Sequence, residues 1–335
     1  MKALCLKSYG KSLEENLEFR DYKLEPLAED EVLIDIFVAG LNPVDYKIVH
    51  GAARLFNNPP KPFPIGFDLS GKVIGIGSKV QSFKVGDEVY AKLPWSHVGS
   101  IAERAKCPED MCSLKPNNTS HVEAAGLPLV ACTVIDSFKL MKIEKGSKIL
   151  IHAGAGGIGT FAIQFAKDLG AIVYSTCSTS NIDLLKEIGA DYVIDYTKED
   201  YIDYLSDMDI VYDTLGGKYT KEATKIVKNE GQIISIVGYY DNATLKEIGI
   251  NSIIRFFNYF RGLPLLRACK KKNVFYKHVW SYPKKEKLDE TRKLIEKDII
   301  QPTTDRVFKF EDSIKAVEYV ATNRAKGKVL IEIHK

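Results

Sequence analysis

The sequence predicts an α/β protein in which a β-rich part leads into a doubly wound parallel sheet. Three observations carry this expectation. Short alternating or β-branched runs crowd the chain up to about Pro116, strand-like and helix-like stretches alternate from Lys148, and a glycine-rich turn joins the first of those strands to its helix. The 335 residues suggest about two domains.

In the first part, residues 31–38, 71–77 and 88–92 read as strands of an antiparallel domain. The proline-rich stretch 59–64 reads as a surface loop, because proline has no N–H for a central ladder. From Lys148 the order is a strand at 148–153, a helix at 158–169 and a strand at 171–176, then apolar runs at 192–196, 209–215 and 232–238. Continuous rather than alternating apolar runs separated by helices indicate a parallel sheet covered on both faces. The last stretch holds a charged amphipathic helix at 285–297, a strand, a helix near 313–322 and a closing strand at 328–333.

Lys and Arg number 47 against 44 Asp and Glu, a net charge of +3, with 45% hydrophobic and 27% charged residues. This balance argues against nucleic acid as a partner, which calls for a concentrated basic footprint. Lys7 and Ser8 interrupt the apolar residues of the first ten, and no run approaches the roughly 18 residues of a membrane span. A cytoplasmic protein is expected. Cys5, Cys107, Cys112, Cys132, Cys177 and Cys269 form no C-x-x-C pair, so neither a zinc lobe nor a disulfide framework is predicted.

Gly154-Ala155-Gly156-Gly157-Ile158-Gly159 fits G-x-G-x-x-G between an apolar strand and an amphipathic helix, the context in which the pattern signifies dinucleotide binding. Gly154 permits the tight turn, Gly156 lets a pyrophosphate approach the backbone, and Gly159 lets helix and strand pack closely. The amides at the helix start, Gly157 and Ile158 among them, face the phosphates. The second strand runs into Ser178, Thr179, Ser180 and Asn181, with no acid before Asp183. An NAD site usually places a carboxylate there for the ribose 2′-hydroxyl, whereas hydroxyls and an amide accept a 2′-phosphate, so NADP(H) is the expected cofactor. The same serines also suit a helix start near Asn181.

With these pieces in order, the chain resembles zinc-independent members of the medium-chain dehydrogenase/reductase superfamily, close to quinone oxidoreductases and enone (2-alkenal) reductases. The matching segments are 40–47, 64–91, the glycine turn, the runs ending at Tyr196 and Gly217, and 323–333. The resemblance implies a GroES-like catalytic domain at 1–125 and 281–335, with a Rossmann NADP-binding domain inserted at 126–280. A homodimer is expected. In zinc-dependent relatives the metal is held at positions that here look like Asn42, Phe67 in Gly66-Phe67-Asp68, and about Leu129. Phenylalanine and leucine cannot ligate zinc and Asp68 is no tetrahedral site, so no metal is expected; Asp68 is expected to make local hydrogen bonds. Hydride addition to a conjugated enone or quinone suits a site without a Lewis acid, because the developing charge spreads to an oxygen that one or two donors stabilise.

The resemblance places Asn42 and Pro43 beside the nicotinamide ribose. It gives Lys47 a contact with cofactor or substrate, and Tyr46 stands ready to donate a hydrogen bond or proton. Asn42, Tyr46 and Lys47 are the candidate catalytic residues; half-buried packing for Tyr46 and a solvated helix lysine for Lys47 are the plainer alternatives. Thr133 and Val237 are expected to face the nicotinamide, Ser178, Asn181 and Tyr196 the 2′-phosphate, and Arg324 the adenosine phosphate. Asn181 departs from the bacterial quinone oxidoreductases, which carry lysine there.

Residues 251–277 contain Arg255, Arg261, Arg267, Lys270, Lys271, Lys272 and Lys277 without an acid, interleaved with Phe256, Phe257, Tyr259 and Phe260. A helical lid and interface element after the fifth strand is the favoured reading; the alternative is a peripheral membrane or polyanion contact in a non-catalytic NADPH-binding protein. The arginines recur every six residues, which does not place them on one helical face.

Overall fold

The computed structural model describes residues 1–52, 54 and 59–334. They form two compact units, Met1–Cys132 with Tyr282–Lys335, and Thr133–Ser281. The division falls inside the helix Pro128–Leu140.

The first unit is built on two sheets. In the larger one, Glu31–Leu41 is central: it pairs antiparallel with Asp68–Ile76, with Arg104–Pro108 and with Lys328–Glu332. Its length and its bulges let one strand serve both halves of the sheet. Lys328–Glu332 and Thr304–Lys309 form a parallel pair, connected through the helix Ser313–Ala321. In the smaller sheet Lys2–Leu6 lies between Leu17–Asp21 and Phe63–Pro64. The end of the proline-rich stretch is thus paired rather than looped, with Pro64 buried opposite Cys5. An edge strand tolerates it, because proline's missing N–H takes nothing from a second neighbour. One core joins Leu4, Leu6, Ile48, Ile65, Phe67 and Val317. It packs the helix Pro43–Val49 under the small sheet and so fixes the residues discussed below.

The second unit is a parallel sheet. Counting its strands along the chain, Lys148–Ile151, Ile172–Cys177, Tyr192–Asp195, Met208–Asp213, Val227–Ser235 and Phe275–His278, their spatial order is 3-2-1-4-5-6, the doubly wound arrangement. Ile149, Leu150, Ile151, Val211, Ile233 and Ile234 are wholly buried, as continuous apolar runs require. The expected helix after the glycine turn spans Gly157–Asp168. The cationic stretch 251–277 divides into a helix, Ser252–Lys271, and the sixth strand. That strand escaped the sequence reading because Phe-Tyr-Lys-His is neither alternating nor uniformly apolar.

Candidate functional site: a dinucleotide turn and a buried ammonium cluster

In the second unit the glycine turn is held from below. Ala153 takes a left-handed conformation (φ 52°) and donates its N–H to Thr176 Oγ1 at 3.0 Å, while the Gly154 N–H reaches the Thr176 carbonyl at 2.9 Å. Placing a side chain at each glycine separates their roles. A Cβ on Gly154 would lie 2.1 Å from Ser175 Oγ, and one on Gly159 would lie 2.5 Å from both Ala153 O and Gly154 Cα. These two glycines allow chain-on-chain packing. A Cβ on Gly156 would meet just one atom, Ala153 O at 3.4 Å. Beyond its chain neighbours, no other described atom lies within 4 Å of that position, which adjoins the first-turn amides of the helix, groups with no intrahelical acceptor. An anionic pyrophosphate fits there.

Parallel pairing of the second and third strands sets Cys177 opposite Asp195, so the segments that follow them are neighbours. Ser178, Asn181 and Tyr196 therefore come together: Asn181 Nδ2 donates to Ser178 Oγ at 3.1 Å and the Tyr196 N–H to the Cys177 carbonyl at 3.1 Å. The Tyr196 ring is exposed. Asp195 lies behind this turn. It is occupied by the hydroxyls of Thr179 and Thr197 at 2.5 and 2.7 Å and by the Lys198 ammonium at 3.6 Å.

Val237 follows the fifth strand, exposed, and its carbonyl stands 3.0 Å from where a Cβ on Gly216 would lie. Thr133 is buried on the helix Pro128–Leu140. The loops after the fourth and fifth strands share an anchor that the sequence reading did not identify, Asp213. It accepts the N–H groups of Leu215 (3.1 Å) and Gly216 (2.8 Å) and the hydroxyls of Thr220 and Ser235, with His152 Nδ1 at 3.5 Å. Burial works to raise this carboxyl, and the His152, Thr220 and Gly216 contacts outweigh it, leaving a pKa of about 2. The signal in the sequence was Asp-Thr-Leu-Gly-Gly at a strand end, where an acid can tie down a turn.

In the first unit Pro43 opens the helix Pro43–Val49, and the Asn42 N–H donates to Asp45 Oδ2 at 2.7 Å. The Asn42 side chain is spoken for: Nδ2 donates to Asp68 Oδ2 at 2.9 Å, and Oδ1 accepts from Lys328 Nζ at 2.6 Å. Lys328 also lies 3.3 Å from Asp68 Oδ2, and Asp68 Oδ1 accepts the Leu129 N–H at 2.9 Å. Asp68 thus makes long-range rather than local bonds. Burial raises the carboxyls of Asp45 and Asp68 and lowers the Lys328 ammonium; for Asp45 the burial effect, opposed by the Asn42 N–H and reinforced by Asp68, pushes the pKa up to about 7.

Tyr46 and Lys47 sit on the same helix. The half-buried Tyr46 hydroxyl reaches Asn323 Oδ1 at 3.4 Å, and its ring lies edge-on to His50. Lys47 is half-buried, and burial lowers its pKa below the ordinary lysine value. Its ammonium has no hydrogen-bonding or ionic partner among the described residues. One residue on, Ile48 lines an apolar cleft with Tyr22, Phe63, Trp95 and Val98. Arg324 is exposed in the turn after the helix Ser313–Ala321, next to Asn323. Asn42, Pro43, Tyr46 and Lys47 are thus gathered by one helix, and Ser178, Asn181 and Tyr196 by one sheet edge. Arg324 belongs to the unit that does not contain the latter group.

A zinc ion does not fit the residues at the positions where relatives hold one. Among the described residues no three His, Cys, Asp or Glu side chains converge, and at these positions an asparagine and an aspartate are already bound to an internal ammonium. Cation chemistry at that point belongs to Lys328.

Two family descriptions match the chain, an alcohol dehydrogenase GroES-like domain over residues 28–126 and a zinc-binding dehydrogenase over residues 188–331. The chain is 34% identical to a 2-methylene-furan-3-one reductase of Solanum lycopersicum, over 99% of this chain and 79% of that protein. It is 36% identical to a chloroplastic NADPH-dependent alkenal/one oxidoreductase of Arabidopsis thaliana, over 71% of this chain and 63% of that protein. The quinone oxidoreductase structure from Coxiella burnetii superposes with a TM-score of 0.86 at 28% identity, over 100% of this chain and 99% of that one. The glycine turn, the split β-rich unit and these likenesses agree, and the chain belongs to the medium-chain dehydrogenase/reductase superfamily.

Proposed function

We propose that this protein is an NADPH-dependent reductase that delivers hydride to quinones or α,β-unsaturated carbonyls without a metal ion. The observation that carries the reading is the space beside Gly156, which the fold leaves open while it packs Gly154 and Gly159 tightly. The named activities of the tomato and Arabidopsis relatives support the acceptor class.

When bound, NADPH supplies the hydride. The chain's own residues do the rest. The amides of the helix Gly157–Asp168 hold the pyrophosphate, and Ser178, Asn181 and Tyr196 meet the 2′-phosphate; the family resemblance assigns Arg324 to the adenosine phosphate. For the nicotinamide, the second unit offers Thr133 and Val237, and the first offers Asn42 and Pro43. Asn42 acts there through its backbone and position, since its amide is bound to Asp68 and Lys328. Lys47 is the electrophile activator: a partly desolvated ammonium with no partner among the described residues stabilises an oxygen that gains charge as hydride adds to the β-carbon. Tyr46 is the second donor, and water supplies the α-carbon proton. The cleft beside Ile48 offers apolar walls to an acceptor.

The assembly we propose is a homodimer that uses the open edge strand Phe275–His278, whose outer ladder groups have no strand partner among the described residues. Among the described residues no helix is long and apolar enough to cross a membrane. All six cysteines are unpaired and buried, which suits a reducing compartment, and we place the protein in the cytoplasm. The test is NADPH consumption against quinones and alkenals, with and without chelator. Oxidation that survives chelation is expected; loss of activity with the chelator, or no acceptor found, overturns the reading.

A further inference from the structure

The helix Ser252–Lys271 has one face in the core and one in water. Gly262, Leu265 and Cys269 are buried at helical spacing, with Leu265 and Cys269 in the core beneath the sheet. The opposite stripe runs through Ile253, Phe257, Phe260, Pro264, Arg267 and Lys271, all exposed. Ile253 and Phe257 are each 68% exposed and Phe256 59%, and Phe256 packs edge-on against Phe260 at 4.9 Å. The aromatics therefore form a preassembled cluster facing outward, beyond what scattered surface residues would show.

The charge on this face is of one sign. Arg261, Arg267, Lys270 and Lys271 are exposed, and residues 251–277 contain no acid. Lys272 and Lys277 are tied into the fold, the first to the Lys225 and Val227 carbonyls and the second to Asp241 and Thr244. A second copy of the chain meeting this face about a two-fold axis would bring like charges together, since an isologous contact sets a patch against itself. An anionic bilayer has the complementary sign and an apolar layer for the rings to enter. We infer that the outward face of the helix Ser252–Lys271 docks the protein peripherally on anionic lipid membranes, with Ile253, Phe256, Phe257 and Phe260 entering the interface and Arg267, Lys270 and Lys271 at the headgroups. This inference stands independently of the reductase reading.

The full chain is sedimented with phosphatidylcholine vesicles and with vesicles that also contain phosphatidylserine. Binding to the second alone is expected, and added salt should release it. Lys270→Gln/Lys271→Gln should lower the partition coefficient by about thirtyfold, taking about 1 kcal/mol for each lysine near an anionic surface. Phe256→Ser/Phe257→Ser should abolish binding, and both variants should keep wild-type thermal transitions because all four side chains are exposed. No binding to phosphatidylserine vesicles, or binding that both variants leave intact, overturns the inference. So does a solution dimer that Phe256→Ser/Phe257→Ser dissociates, which would assign the face to a second copy.

Discussion

Replacing Gly156 with serine separates cofactor binding from folding. Gly156 is the N-cap of the helix Gly157–Asp168 with φ −80° and ψ 166°, an extended conformation open to any residue, and serine is a preferred N-cap. Its Cβ meets nothing closer than 3.4 Å. Stability should therefore stay within about 0.5 kcal/mol. The same side chain enters the space assigned to the pyrophosphate. Losing one hydrogen bond to a charged phosphate costs about 1.5–3 kcal/mol, which raises the NADPH dissociation constant about 10- to 150-fold. Gly159→Ala gives the opposite pattern: its Cβ would stand 2.5 Å from backbone atoms that cannot swing away, and overpacking of this kind costs about 1–3 kcal/mol. Calorimetric titration with NADPH and thermal unfolding read both variants. Unchanged NADPH affinity in Gly156→Ser at an unchanged melting temperature would refute the placement of the pyrophosphate.

Other outcomes follow from the same geometry. Lys328→Met leaves the Asp68 carboxyl buried without its cation and should destabilise the protein by about 3–5 kcal/mol; adding Asp68→Asn should recover part of that loss in denaturant titration. The Asp45 carboxyl rises from 3.8 to about 7 on folding, so the folded state binds the extra proton and stability falls as pH rises from about 4 to 7. At 1.36 kcal/mol per pH unit this is on the order of 4 kcal/mol, and Asp45→Asn should flatten the dependence as followed by unfolding at a series of pH values. Lys47→Ala should lower kcat/KM for enones about 100-fold, the scale of losing one oxyanion donor, and unchanged steady-state kinetics would remove Lys47 from the site. Asn181→Lys should tighten NADPH about tenfold with NADH unaffected, because a cation then faces the 2′-phosphate, as measured by competition with 2′,5′-ADP.

What the sequence makes legible is what local pattern carries. The apolar runs of the parallel sheet and the turn at Gly154–Gly159 announce themselves within a few residues, since a buried strand and a phosphate loop need particular residue types in succession. The ammonium cluster is different. Asn42 meets Asp68 across 26 positions and Lys328 across 286, and a lysine near the end of a chain carries no mark of burial. The same holds for Asp213, whose partners Thr220 and Ser235 come from two further elements. Sequence pattern also hid where the stripes of the helix Ser252–Lys271 lie. Its arginines repeat off-phase, and burial of Gly262, Leu265 and Cys269 was needed to show that the aromatics face outward.

The central claim is direct hydride transfer from NADPH to a conjugated acceptor, and isotope transfer tests it most closely. Chelator-treated protein is given stereospecifically 4-deuterated NADPH and an alkenal, and the product is examined by NMR. Deuterium at the β-carbon, with one isomer of the labelled cofactor serving as donor, is the predicted result. Cofactor bound but not consumed, or product with deuterium on the carbonyl carbon, would contradict it.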